Sequence, residues 1–366
     1  MRTILSLAFI ACLILVSPAR AQLYSVTDLG VLPGGSLSEA WAINNSGTVA
    51  GQSNSSGNPG GVAFSYSGGV MTDLGTTGGF HSLALSINDS GTIVGNAQNG
   101  SLQNHGFSYS GGTMTDLGTL GGSVSDAFGI NSSGTIVGDA DIAGDSTFHA
   151  YSYSGGVMTD LGTLGGLGSV AYAINNAGTI VGGASTSGSQ NHAFSYSGGI
   201  MTDLGTLPGG TYSGAKAINN AGTIVGNATV SSGNSDAFSY SGGTMTDLGT
   251  LGGTLAQAES INSSGIIVGF SNTTGNVGQD AFIDQGGGLI DLNTLLDSSG
   301  TGWTLQDATG INDLGQIVGY GTNPLGQTDA FLLNPVPEPT SVFMLPAGLA
   351  LLAFSLRRKL HRGARA

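Results

Sequence analysis

The chain has 366 residues, room for two or three ordinary domains, yet 66 are glycine and only 8% are charged, against about 25% in a typical soluble domain. Basic residues crowd the ends (Arg2, Arg20; Arg357, Arg358, Lys359, Arg362, Arg365) and leave Lys216 alone between them. Residues 22–335 therefore set one Lys against 21 acids, a formal charge of −20, which excludes nucleic-acid binding by repelling a phosphate backbone; the single Cys12 excludes a disulfide framework or a cysteine-zinc site.

The chain opens with Met1-Arg2, an apolar run over 4–16 and Ser17-Pro18-Ala19-Arg20-Ala21. A short basic start, an apolar core and an Ala-x-Ala end predict a secretory signal peptide over 1–21, cut after Ala21. Cys12 falls inside the apolar run, so it reads as a residue removed with the peptide rather than as a lipid attachment point.

From residue 22 the chain repeats itself. Asp-Leu recurs at Asp28, Asp73, Asp116, Asp160, Asp203, Asp247 and Asp291, with spacings of 43 to 45 residues. Ile-Asn recurs at Ile43, Ile87, Ile130, Ile174, Ile218, Ile261 and Ile311. A third marker, Ala-Phe or a variant of it, begins at Ala63, Gly106, Ala150, Ala193, Ala237, Ala281 and Ala330. One unit offers four short strands: 193–197, a Gly198-Gly199 hairpin turn, 200–204, 211–218, an Asn-Asn-Ala-Gly turn, and 223–226. Four strands in about 44 residues is the size of a propeller blade. Residues 24–29 supply only the return half of a hairpin and 330–333 only its leading half, so the two ends complete one hairpin if the first and last units meet. The expected fold is an all-β, seven-bladed β-propeller over 22–335, closed by its N- and C-terminal strands, an arrangement that removes the open edges of a linear array.

The repeated aspartates, identical in every unit, read as structural: a carboxylate before Leu-Gly accepts backbone N–H bonds in a tight turn. So does the register His105, His149, His192, Asp236, Asp280 and Asp329, one residue per unit and too far apart to share an ion. Asp139, Asp141 and Asp145 stand within seven residues and form a candidate calcium loop, calcium being a cation of oxygen ligands; a solvated acidic loop is the alternative. Where the units disagree is more telling. The register before Ile-Asn reads Trp41, Leu85, Phe128, Tyr172, Lys216, Glu259, Thr309, and two residues earlier Glu39, Leu83, Asp126, Val170, Gly214, Gln257, Asp307. In a period-2 strand both share a face, and positions so variable are expected to reach solvent on a common surface, either as a binding face or as tolerant exposed sites that have drifted. Trp41, Tyr172 and Lys216 are the candidate binding residues there. Trp303, in the lengthened stretch between Asp291 and Ile311, is a second candidate contact.

The chain ends in Pro337-Glu338-Pro339, an apolar stretch over 341–356 and the basic Arg357-Arg358-Lys359. Sixteen residues span about 24 Å as a helix, close to a ~30 Å hydrocarbon core, and the basic cluster belongs on the cytoplasmic side. A transmembrane helix over 341–356 that leaves the body outside the inner membrane is the expectation, and a plain tail anchor satisfies it.

The Pro337-Glu338-Pro339 triplet, the apolar helix and the Arg357-Arg358 pair together resemble the PEP-CTERM sorting signal of exopolysaccharide-producing Gram-negative bacteria. The resemblance implies processing by an exosortase and a place at the cell surface or in the extracellular matrix after transient anchoring in the inner membrane. The body resembles the HAF family of bacterial extracellular repeats, through His192-Ala193-Phe194, its variants at His149 and His105, and the Met-Thr-Asp-Leu-Gly-Thr-Leu-Gly-Gly phrases. That resemblance implies an extracellular, propeller-like repeat protein with no catalytic motif. The functional expectation is a non-enzymatic surface or matrix protein that binds or organises material such as polysaccharide and needs no cofactor other than the candidate calcium. The alternative is a polysaccharide lyase or hydrolase with its site in the propeller channel, since scattered Asp residues can still pair across a fold.

Overall fold

The structure, a computed structural model, describes residues 22–337. The signal peptide 1–21 with Ala21, Glu338 and Pro339 of the triplet, the expected helix 341–356 and the Arg357-Arg358 pair lie outside the described residues. Tyr24–Pro335 form one compact unit. A second comprises the two chain ends; in its described part the Val336 amide donates to the Leu23 carbonyl at 2.8 Å. The described residues hold 28 strands and three short 3-10 turns, and no helix among them is long and apolar enough to cross a membrane.

The unit of construction is four antiparallel strands paired in chain order, as in Gly165–Ile174, Ile180–Thr186, Asn191–Ser197 and Ile200–Asp203. Sheets of the same order start from Ser38–Ile43, Gly78–Ile87 and Gly121–Ile130. Those starting from Ser213–Ile218 and Gly252–Ile261 are joined into one eight-stranded sheet by a single parallel pair, Ser235 with Leu255. The last sheet draws on both ends of the chain: Thr304–Ile311, Ile317–Thr322 and Thr328–Pro335 are followed by Tyr24–Asp28, with Tyr24 opposite Pro335 and Asp28 opposite Phe331. The split hairpin expected from residues 24–29 and 330–333 thus forms. The result is an all-β, propeller-like fold of repeated four-stranded sheets.

Local chemistry explains the unit. Gly198 and Gly199 turn the last hairpin at φ 58° and 84°, which an L side chain adopts only at a cost. The second strand is buried along most of its length, as Ile-Val-Gly-rich segments are when both faces are covered. Its Gly182 has no room for a side chain: a Cβ there would lie 1.9 Å from the Val170 carbonyl oxygen and 2.9 Å from the Phe194 ring. Phe64, Phe107, Tyr151, Phe194, Phe238, Phe282 and Phe331 fill this register, all fully buried. Every first strand also carries a β-bulge. Opposite the second strand the pairing skips one residue: 41, 85, 128, 172, 216, 259 and 309 in turn. These are the residues of the variable register.

Asparagines close the ring. The Asn44 side-chain amide donates to the Asn88 carbonyl at 3.1 Å, Asn88 to Asn131 at 3.1 Å, and Asn131 to Asn175 at 3.3 Å. Asn175 donates to Asn219 at 3.3 Å, Asn219 to Asn262 at 3.2 Å, Asn262 to Asn312 at 3.2 Å, and Asn312 back to Asn44 at 3.0 Å. All seven are buried. Each Oδ1 also accepts a backbone N–H from its own turn, as Asn175 does from Ala177 and Thr179. One side chain therefore fixes both a turn and the next unit's place.

Candidate functional site

A bulge residue is left out of the ladder, and its side chain is re-aimed by the local kink. Here that geometry collects one side chain from every unit. Trp41, Leu85, Phe128, Tyr172, Lys216, Glu259 and Thr309 line a single cavity of about 210 Å³. All seven isoleucines of the Ile-Asn marker line a second, polar cavity of about 210 Å³ beside the asparagine turns, and Ile43, Ile87, Ile130, Ile174 and Ile311 also border the space at the bulge residues. An apolar waist of isoleucines stands between the two. The variable register thus faces a common space, as its composition suggests.

The cavity has two halves. Trp41, Leu85, Phe128 and Tyr172 form an apolar arc, with the Phe128 and Tyr172 rings 5.2 Å apart and tilted. Lys216, Glu259 and Thr309 form a polar arc. The Lys216 ammonium lies 4.1 Å from the centre of the Tyr172 ring, a cation–π geometry, and has no carboxylate within salt-bridge distance among the described residues. Thr309 is turned inward and donates to the Ala40 carbonyl at 2.8 Å. Trp41 packs on Tyr320 at 6.0 Å, and its buried Nε1 has no partner among the described residues.

The second variable register departs from the expectation of a shared solvent face. The bulge breaks the period-2 relation, so Glu39, Leu83, Asp126, Gln257 and Asp307 lie outside the cavity lining. Asp307 is buried and accepts from the Tyr320 hydroxyl at 3.4 Å. Burial, then the negative charge of Glu259, raises its carboxyl well above the usual range, and burial likewise raises Glu39. Two carboxyl groups set apart in this way are the kind of pairing hydrolases use, but Asp307 lies outside the cavity lining.

The remaining candidates are placed as follows. Trp303 is a packing residue, not an exposed contact: it stands edge-on to Phe331 at 6.3 Å and leans on the core of the last sheet. The lengthened stretch around it is folded, not loose. Leu292 and Leu295 are buried, Leu296 bridges to Tyr24, the Asp297 amide donates to the Tyr24 carbonyl at 2.9 Å, and the Val26 amide donates to Ser299 Oγ at 2.7 Å. Its extra residues cover the edge of Tyr24–Asp28, an edge that would otherwise be open to pairing.

Asp139, Asp141 and Asp145 do not converge as a calcium loop would require. Asp139 and Asp141 belong to the strand Ile136–Ile142, and Asp139 pairs across with Asp126. Asp145, in the following turn, accepts from the Ser123 amide at 2.7 Å. Among the described residues no group of three or more His, Cys, Asp or Glu side chains is placed to hold a metal ion. Burial first, then the charges of Asp126 and Asp141, push the Asp139 carboxyl up to about 7.

The repeated aspartates have one job in each unit: Asp28, Asp73, Asp116, Asp160, Asp203 and Asp247 each accept from the amide two residues on, a glycine, at 2.7 to 2.8 Å, and Asp291 does so from Asn293 at 2.8 Å. His105, His149 and His192 then pair through Nδ1 with Asp116, Asp160 and Asp203 at 2.8 to 2.9 Å.

No protein-family model and no curated protein matches the sequence. Among solved structures, TolB from Acinetobacter baumannii is similar at 11% identity and a TM-score of 0.47, over 80% of this chain and 64% of that one. The chain thus spans about two thirds of that relative's length. A putative TolB from Agrobacterium tumefaciens is similar at 14% identity and a TM-score of 0.43, over 87% of this chain and 100% of that one. A six-bladed propeller lectin, Aleuria aurantia lectin, with a described fucose recognition mode, is similar at 12% identity and a TM-score of 0.35, over 68% and 93% of the two chains. These likenesses assign no ligand to this chain.

Proposed function

We propose that residues 22–335 are a seven-bladed β-propeller, one four-stranded sheet per blade, that acts outside the inner membrane as a non-enzymatic polysaccharide-binding protein of the cell surface or matrix. The seven-membered asparagine ring supports the blade count, and the terminal strand pair supports closure. One observation carries the binding role. In a scaffold that repeats its turns, core and hydrogen bonds, the seven bulge residues alone combine indole, phenyl, phenol, ammonium and carboxylate around one cavity. Aromatic rings offer apolar faces to sugar C–H groups while neighbouring polar groups take hydroxyls. The signal peptide and the exosortase-type sorting tail supply the address in this reading.

The test is binding of the purified chain to a panel of neutral and acidic polysaccharides, beside Trp41→Ala and Lys216→Ala. Saturable binding weakened in either variant supports the proposal, and its absence for every polysaccharide overturns it. A second reading, a glycoside-cleaving enzyme, rests on Glu259, the one carboxylate that lines the bulge cavity; release of new reducing ends from a bound polysaccharide, abolished in Glu259→Gln, would decide for it.

A further inference from the structure

Two glycines hollow out one gap between neighbouring sheets. At the second-strand position of Gly183 the other units carry Gln52, Asn96, Asp139, Asn227, Phe270 and Tyr320; at the first-strand position of Gly214 they carry Glu39, Leu83, Asp126, Val170, Gln257 and Asp307. Each is the sole glycine of its register. Gly183 belongs to one sheet and Gly214 to the next, and both open into the same pocket of about 280 Å³. Neither has a left-handed φ, so the backbone does not demand glycine. A Cβ at Gly183 would lie 3.0 Å from the Asn191 amide nitrogen and one at Gly214 would lie 3.0 Å from the Tyr212 hydroxyl, so a side chain at either position would press on a side-chain tip and take up the gap.

The walls have a consistent chemistry. Phe148 and Tyr212, 44% and 36% exposed, stand at the pocket as solvent-facing rings. Ser185, Asn191 and Lys216 supply polar groups, and the Ser185 hydroxyl has no hydrogen-bond partner among the described residues. No carboxylate lines the pocket. Tyr172 and Lys216 border both this pocket and the bulge cavity, which makes the two adjoining.

We propose that this pocket, resting on the polysaccharide reading above, is a subsite for one neutral sugar ring of a glycan chain. Its volume sits just below the ~300 Å³ at which drug-sized pockets begin, which suits a single ring. Aromatic walls match the C–H face of a pyranose, and an amide, a hydroxyl and an ammonium match its hydroxyls. A body at −20 repels polyanions, which selects an uncharged chain over a uronate one.

The experiment titrates the purified full chain by calorimetry with neutral hexose and deoxyhexose tetrasaccharides and, as the charged arm, with alginate tetramers. Gly183→Asn, which takes the side chain of the neighbouring units, fills the pocket; Tyr212→Ala removes an exposed wall and tests the same site without adding bulk. Trp41→Ala perturbs the bulge cavity alone. The expected result is binding of at least one neutral tetramer, weakened tenfold or more by Gly183→Asn and by Tyr212→Ala. Binding lost in Trp41→Ala but unchanged in both pocket variants places the sugar in the bulge cavity and overturns the subsite. Preference for alginate overturns the neutral class. Failure of every oligosaccharide and polysaccharide to bind overturns the parent reading as well.

Discussion

Replacing Asn175 by alanine tests whether the asparagine ring holds the fold. The side chain is 5% exposed. Its Oδ1 accepts from Ala177 at 3.1 Å and Thr179 at 2.9 Å, and its amide donates to Asn219 at 3.3 Å. Three bonds at a net ~1 kcal/mol each, plus the penalty for buried groups left unpaired, give a loss of about 3–5 kcal/mol. Asn175→Asp keeps both accepted bonds but turns the donor into an acceptor facing the Asn219 carbonyl and adds a buried charge, so its loss, about 1–3 kcal/mol or more, reports the link between units together with the cost of that charge. The neighbouring Asn176 is the control. It is exposed and accepts a single backbone bond, from Ser132 at 3.0 Å, so Asn176→Ala should cost about 1 kcal/mol or less. Urea denaturation followed by tryptophan fluorescence measures all three. Equal midpoints for Asn175→Ala and Asn176→Ala would refute the reasoning.

Two further outcomes concern stability. Tyr151 takes the buried aromatic position that is Phe in the other units, and its hydroxyl has no partner among the described residues; Tyr151→Phe should therefore stabilise the chain by about 1 kcal/mol, seen as a raised urea midpoint, and a lowered midpoint would contradict this. Asp139, raised to about 7 from 3.8, binds its proton more tightly when folded, so stability falls as pH rises between those values and is level above them. Asp139→Asn should remove that decline, worth up to about 4 kcal/mol, and parallel wild-type and variant profiles from pH 4.5 to 8 would count against it.

Legibility in the sequence followed from whether a signal was local. The Gly198-Gly199 turn, the aspartate before Leu-Gly and the split terminal hairpin are contained in a few residues and their own backbone bonds, and each is found where the pattern puts it. The register of Trp41, Tyr172 and Lys216 stood out because it varies, but the bulge that aims it is invisible to a strict period of two; hence Glu39 and Asp307 were placed on the wrong face. Trp303 misled because a lengthened connection looks like a loop until Leu292 and Leu295 are seen buried beneath it. Asp139 and Asp141 look like loop ligands, yet they sit in a strand. The asparagine ring and the pocket at Gly183 and Gly214 could not be read along the chain at all, because each is made between units. The signal for the pocket was there, as the only glycine in each of two registers, but it needs the sheet pairing to bring the registers together.

The sheet shared by the two ends also sets a schedule. The other sheets are contiguous in sequence and can assemble as the chain emerges. Tyr24–Asp28 must wait for Thr328–Pro335, about 300 residues later, or roughly 15–60 s at ~5–20 residues per second. During that interval the strand is an unpaired edge. At five residues it is short, and a short edge is a poor template for a stray partner. The stretch that clasps it, from Leu292 to Ser299, is synthesised just before the partner strand, so the first strand's lid arrives only moments ahead of its mate.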